Sequence, residues 1–252
     1  MGAAGTDGVA GLYQVDVGEV KLAGQSCGWL KPVVMELPIT DIKAPVGVGG
    51  MEKGVSGILG MDFLQRFDVK LDFQTGDATF ANPGVAVAGG LGASQMTEVE
   101  GKVLPNGFFV INVKMEAAGG GGSGQANPAM IPAIVDLGSA FTIANWAAGN
   151  AAGLTPTSPA VRYSGQVVAG AAAPGDKYKP VEVGEALMDL TLGTKAGGGS
   201  LVQGRTVMIG DLPGFHAMGM FGPMIILGSD VLKLGKGAMI VSFYSRKIWL
   251  AL

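Results

Sequence analysis

Val135-Asp136-Leu137-Gly138-Ser139 closes an apolar run that starts at Ile131, and Ile225-Ile226-Leu227-Gly228 follows it downstream. An apolar strand ending in Asp-X-Gly offers a carboxylate at a strand end, because the glycine lets the backbone turn tightly behind it. The downstream element has a second copy near the start of the chain, Gly57-Ile58-Leu59-Gly60. Asp136 precedes Gly228 by 92 residues, and no Asp-X-Gly precedes Gly60 at that interval. Whether the chain holds one such strand-end carboxylate or two is therefore the central question.

The copies extend beyond these tetrapeptides. Laying residues 57–64 over 225–232, a shift of 168, puts Ile58 on Ile226, Leu59 on Leu227, Gly60 on Gly228, Asp62 on Asp230 and Leu64 on Leu232. With two residues inserted, Leu71-Asp72-Phe73 falls on Val241-Ser242-Phe243, and Thr79-Phe80 on Trp249-Leu250. Upstream, residues 12–22 resemble 186–192. Tandem copies of one β-rich unit account for the length of 252 residues better than a single domain does.

Between these landmarks the pattern is that of short strands and many turns. Residues 12–22 alternate apolar and polar side chains with the period of two of a half-buried strand, and Val33-Val34-Met35-Glu36-Leu37 predicts another, ended by Pro38. A short helix is expected over 61–67, then strands over 68–73 and 78–80 joined by the turn Gln74-Thr75-Gly76-Asp77. Residues 82–96 are rich in Gly and Ala without periodicity and read as a linker. One strand pattern runs from Val103 through Phe108 to Met115, a glycine-rich loop follows over 117–125, and residues 141–152 have helical composition.

Composition closes off several classes. A net charge of −3, with 17 scattered Lys and Arg, gives no footprint for nucleic acid. The 44 glycines and 13 prolines with only 15% charged residues favour turns over long helices. No apolar run reaches the ~18 residues of a membrane-spanning helix, which points to a soluble chain, and the first residues show no secretory leader. The single cysteine, Cys27, and the single histidine, His216, exclude a disulfide framework and argue against a zinc site. Neither a metal nor a cofactor is expected, and the compartment is unknown.

Two carboxylates about 3 Å apart cannot both ionise, so they share one proton and titrate as a unit. The ionised member can take a proton from a bound water that attacks a peptide carbonyl, while the protonated member polarises that carbonyl. At this point Val135-Asp136-Leu137-Gly138-Ser139, with the Ile-Leu-Gly elements, resembles the retropepsin-like and pepsin-like aspartic proteases. Their hallmark is Asp-Thr/Ser-Gly-Ser/Ala backed by a hydrophobic-hydrophobic-Gly strand. The stretch Gly57-Ile58-Leu59-Gly60-Met61-Asp62-Phe63-Leu64, then Phe67-Asp68-Val69-Lys70-Leu71-Asp72-Phe73, resembles the C-terminal end of a retropepsin-type lobe.

Through the repeat the resemblance covers most of the chain, and it implies an all-β, two-lobe acid-protease fold with short helices. Residues 1–81 would be an N-terminal lobe lacking its beginning, 82–96 a linker and 97–252 the C-terminal lobe. The implied activity is that of an aspartic-type endopeptidase acting on polypeptides. Asp136 is its catalytic residue, Leu137, Gly138 and Ser139 form the supporting loop, and the Ser139 hydroxyl bonds the carboxylate from outside. Residues 167–174, small and Gly/Ala-rich, lie where the family places a flap hairpin, with Gly170 as its candidate residue. The same stretch reads equally as a surface hairpin without a ligand.

Two departures stand out. Leu137 occupies the place of the family's Thr or Ser. The first-lobe Asp, placed 92 residues before Gly60, would fall at position −32, before Met1. Its role would then come from upstream residues, or from Asp136 of a second chain in a homodimer. The alternative is a non-catalytic peptide-binding or structural module that keeps the cleft without the dyad. Val15-Asp16-Val17-Gly18 matches Asp-X-Gly, but it lies only 44 residues before Gly60, on an alternating strand, which makes Asp16 a solvent-facing residue beside a turn. Gly24-Gln25-Ser26-Cys27-Gly28 matches the nucleophile-elbow pattern without the helix that motif needs. Residues 119–124 lack the Lys-Ser/Thr of a phosphate loop, and His216 reads as a loop residue on the substrate side.

Overall fold

A computed structural model of the chain describes residues 13–14, 18–22, 25–29, 33–34, 43–44, 53–54, 59–119, 130–168, 181–193, 199–217, 219–234 and 237–251. The described residues are predominantly β-structure. Eleven strands form one continuous sheet: β1 (Asp68–Asp72), β2 (Asp77–Ala81), β3 (Thr97–Val103), β4 (Phe109–Ala117), β5 (Met130–Val135), β6 (Ile143–Ala144), β7 (Gly184–Leu192), β8 (Ser200–Ile209), β9 (Ile225–Leu227), β10 (Ala238–Ser242) and β11 (Lys247–Leu250). Four short helices accompany them: α1 (Met61–Leu64), α2 (Trp146–Ala151), α3 (Pro213–Ala217) and α4 (Ser229–Leu232).

Six of the strands close on themselves. β4 pairs with β5, β5 with β9, β9 with β6, β6 with β8, β8 with β7, and β7 returns to β4. Closure removes the free edges that an open sheet of this size would leave. Alternation supplies the filling. Ala186, Met188, Leu190 and Leu192 of β7 all turn one way, and they join Ile111, Val113 and Met115 of β4 with Ile225 and Leu227 of β9 in the largest buried cluster. The opposite face of the same strands carries a second cluster, in which Val110 and Ile134 meet Met208, Leu212 and Phe215.

Beyond β4 the sheet continues in the order β3, β11, β10, β1, β2, all antiparallel. Here the sequence repeat becomes spatial. Lys70 of β1 lies directly opposite Ile240 of β10, which is its own counterpart when Leu71 is set on Val241. The two hairpins β1–β2 and β10–β11 are thus related by a local two-fold axis through that pair. Their turns match as well, with Gly76 and Arg246 at the same place and both left-handed, at φ 78° and 57°. α1 and α4 begin alike after Gly60 (φ −80°, ψ 175°) and Gly228 (φ −86°, ψ 178°).

Residues 82–96 form turns and a 3-10 helix (Gly90–Gln95) in which Ala86 and Ala93 pack against Ile240 and Trp249. The buried Asp68 ties them down, its Oδ2 accepting the Ala86 amide at 2.8 Å. Two expectations need correction. The strand expected from Val103 to Met115 is a hairpin, β3 and β4 joined at Leu104, whose carbonyl takes the Gly107 amide; Pro105-Asn106-Gly107 is the turn the apolar pattern concealed. The helix expected over 141–152 is β6 first and only then α2, whose N-cap Asn145 accepts the Ala148 amide. No helix among the described residues is long and apolar enough to cross a membrane.

Candidate active site

β5 is an apolar strand whose place in the barrel is fixed by β4 on one side and β9 on the other, and Asp136 is the first residue beyond it. The Asp136 amide donates to the Leu227 carbonyl at 3.1 Å, so the chain leaves the strand still attached to β9. Its Oδ1 then accepts the Gly138 amide at 2.8 Å. A carboxylate held by a backbone amide two residues on is oriented by its own loop. Asp136 as a residue is partly buried, with Leu137 and Gly138 exposed beside it.

The loop from 136 to 142 returns to β6 on the far side of β9, so that β9 threads between the two legs of one excursion. Its return is fixed from α4. The Thr142 amide donates to Asp230 Oδ2 at 3.0 Å, its hydroxyl donates to Asp230 Oδ1 at 2.8 Å, and that same hydroxyl accepts the Gly228 amide at 3.1 Å. The Ser229 amide donates to the Ser139 carbonyl at 2.9 Å. Gly228 is glycine for a steric reason, since a Cβ there would lie 2.4 Å from the Phe141 carbonyl.

The Ser139 hydroxyl donates to the Phe141 carbonyl at 2.7 Å. It braces the loop internally, whereas the expected bond to the Asp136 carboxylate is filled by the Gly138 amide. Asp136, Leu137, Gly138 and Ser139 are thus together on one loop. Asp16 and Gly170 lie outside the described residues; the strand entering the candidate flap, Val167–Val168, pairs with Val181–Glu182. Gln25–Trp29 is a strand paired with Glu19–Leu22, not the strand-to-helix turn a nucleophile elbow requires. His216 is exposed on α3, edge-on to Phe221 at 5.6 Å, and is not among the groups bonded to the Asp136 loop.

The sequence reading did not single out Thr142 and Asp230. A signal was present, because Asp62 and Asp230 coincide in the repeat two residues after Gly60 and Gly228. It also missed a cavity of about 330 Å³ beside the loop, lined by Phe141, Gln166, Glu185, Thr206, Met208 and Asp230 among others. Glu185 is held at its wall by the Ser164 hydroxyl at 2.5 Å. Among the described residues no cluster of three or more His, Cys, Asp or Glu could hold a metal ion. No family model, curated protein or solved structure matches the chain.

Proposed function

We propose that the chain is an aspartic-type endopeptidase of two-lobed, pepsin- or retropepsin-like build, with Asp136 as one carboxylate of a dyad. The observation that carries this reading is the frame around Asp136: β9 between β5 and β6, the Leu227 carbonyl on its amide and the Gly138 amide on its carboxylate. Such a frame holds an acid at a fixed place and angle while leaving it half open to whatever faces the loop. A second carboxylate brought against it shares one proton with it. The ionised member takes a proton from a water attacking the scissile carbonyl, and the other protonates the carbonyl oxygen; no metal and no covalent intermediate takes part. The cavity beside Phe141 receives a side chain of the polypeptide substrate.

The second reading is a peptide-binding module without catalysis. It is favoured by Leu137, which is 37% exposed where the resemblance implies a hydroxyl. One experiment separates the two. The purified chain is fractionated by size and each fraction is incubated with denatured protein, alongside Asp136→Asn. Cleavage confined to the associated form and absent from the variant supports the endopeptidase, and binding without cleavage supports the module. Equal cleavage by both forms removes Asp136 from the reaction.

A further inference from the structure

The two copies of the repeat differ in what covers them. In the second copy β11 is sandwiched between β10 and β3, and Trp249 and Leu250 are buried, at 3% and 1% exposure. Their counterparts on β2 are Thr79, exposed, and Phe80, half-buried. Among the described residues β2 is paired on one side only, by β1. The same contrast recurs before α1, where Leu59 is 52% exposed and its counterpart Leu227, enclosed by β5 and β6, is 0% exposed. The strands that flank the second copy at these places, β3, β5 and β6, all lie in one continuous stretch, residues 97–144, while Ala86 and Ala93 cover Trp249 from one face.

We propose that the outer edge of β2 is a strand-docking site whose occupant is a polypeptide segment built like residues 97–144. The register follows from the second copy. Hydrogen-bonded and non-bonded positions alternate along an antiparallel pair. The Ala251 amide donates to Ala238 on β10's side, while the Gly101 amide donates to Arg246 from β3's side. Ile248 and Leu250 therefore turn their backbone groups toward β3, opposite Val99 and Thr97. On β2 the corresponding residues are Ala78 and Phe80, whose amides and carbonyls face outward, ready to receive the segment's counterparts of Val99 and Thr97.

Charge specifies the occupant further. Lys247 is paired with Glu98 of β3 at 2.8 Å. Its counterpart on β2 is Asp77. The docked segment therefore carries a Lys or Arg where β3 carries Glu98, since like charges across neighbouring strands repel. This inference rests on the repeat and its burial, not on peptidase activity, so docking can be found in a chain that cleaves nothing.

The test uses the full chain and a separate polypeptide of residues 97–144 carrying Glu98→Lys, with hydrogen exchange as the readout. Exchange at Ala78 and Phe80 is expected to slow at least tenfold on addition, and the unaltered 97–144 polypeptide to bind about fivefold more weakly. Ala78→Pro removes an outward amide without touching a β1 bond and abolishes binding. Val99→Pro in the added polypeptide does the same while leaving the chain itself unaltered. Unchanged exchange at Phe80, or binding that survives both proline changes, overturns the proposal. So does protection of β2 that appears when the chain alone is concentrated, which would mean self-pairing of two β2 edges.

Discussion

Thr142 and Asp230 hold each other by two hydrogen bonds across 88 residues of sequence, the amide on Oδ2 and the hydroxyl on Oδ1. The hydroxyl also accepts the Gly228 amide, so one buried side chain joins the returning leg of the Asp136 loop to the start of α4. Thr142→Val keeps the shape and removes both bonds of the hydroxyl. It is expected to cost about 3 kcal/mol, a bond to a carboxylate plus an unsatisfied buried amide. A urea midpoint that falls while the slope stays constant is the readout; an unchanged midpoint would mean the network carries no stability.

Gly228→Ala tests the close approach instead of the bonding. Its backbone angles are ordinary for any residue, so the whole effect comes from a Cβ placed against the Phe141 carbonyl. About 2 to 3 kcal/mol of destabilisation is expected from the forced shift. Thermal unfolding measures it, and because Phe141 belongs to the Asp136 loop, any Asp136-dependent cleavage should fall by more than stability alone explains.

The turn of the first hairpin is held by a carboxylate, that of the second by a hydroxyl. Amides of Thr75 and Gln74 donate to Asp72 Oδ1 and hold its pKa below the ordinary carboxylate value of 3.8, the Thr75 bond contributing most. At the equivalent turn the Ser245 amide donates to the hydroxyl of Ser242, which has no charge to lose. With the folded value depressed, Asp72's contribution is complete above the ordinary carboxylate range and vanishes as pH falls through the lowered value. Amide shifts of Gln74 and Thr75 should therefore follow a titration lying below pH 3.8. Shifts that stay flat in that range would contradict the assignment, and Asp72→Asn should remove the transition.

Leu137→Thr supplies the hydroxyl the resemblance implies, at an exposed position where the core is untouched. Under the endopeptidase reading Asp136-dependent cleavage rises about fivefold, the kinetic equivalent of one hydrogen bond of about 1 kcal/mol. Steady-state kinetics on one peptide gives the answer. A rate unaltered by Thr, with peptide affinity also unaltered, leaves the loop without a catalytic role for that side chain.

Local pattern carried the sequence reading where it succeeded. The run 131–135 is a strand because it is apolar throughout, with Ile131, Ala133 and Ile134 buried, and Asp136 stands at its end because Gly138 can fold back on it. The repeat was legible because Gly60 and Gly228 each precede a one-turn helix and a hairpin. What failed was anything decided by a distant partner. Ile143 and Ala144 are strand because β8 and β9 flank them, and helical composition over 141–152 could not reveal that. Thr142 and Asp230 are ordinary polar residues until the fold brings them together.

The pairing of Lys70 with Ile240 also sets an order of events during synthesis. β1 and β2 leave the ribosome before every barrel strand, yet the strand beside β1 is β10, which follows all of them. The barrel can close as soon as β9 has emerged, whereas the first hairpin waits for β10 and β11, which follow the barrel strands in sequence. Contacts of such long sequence separation form late and slowly. The C-terminal strands are therefore the clasp of the molecule, and the interval before they close is when this chain is most exposed to misassociation.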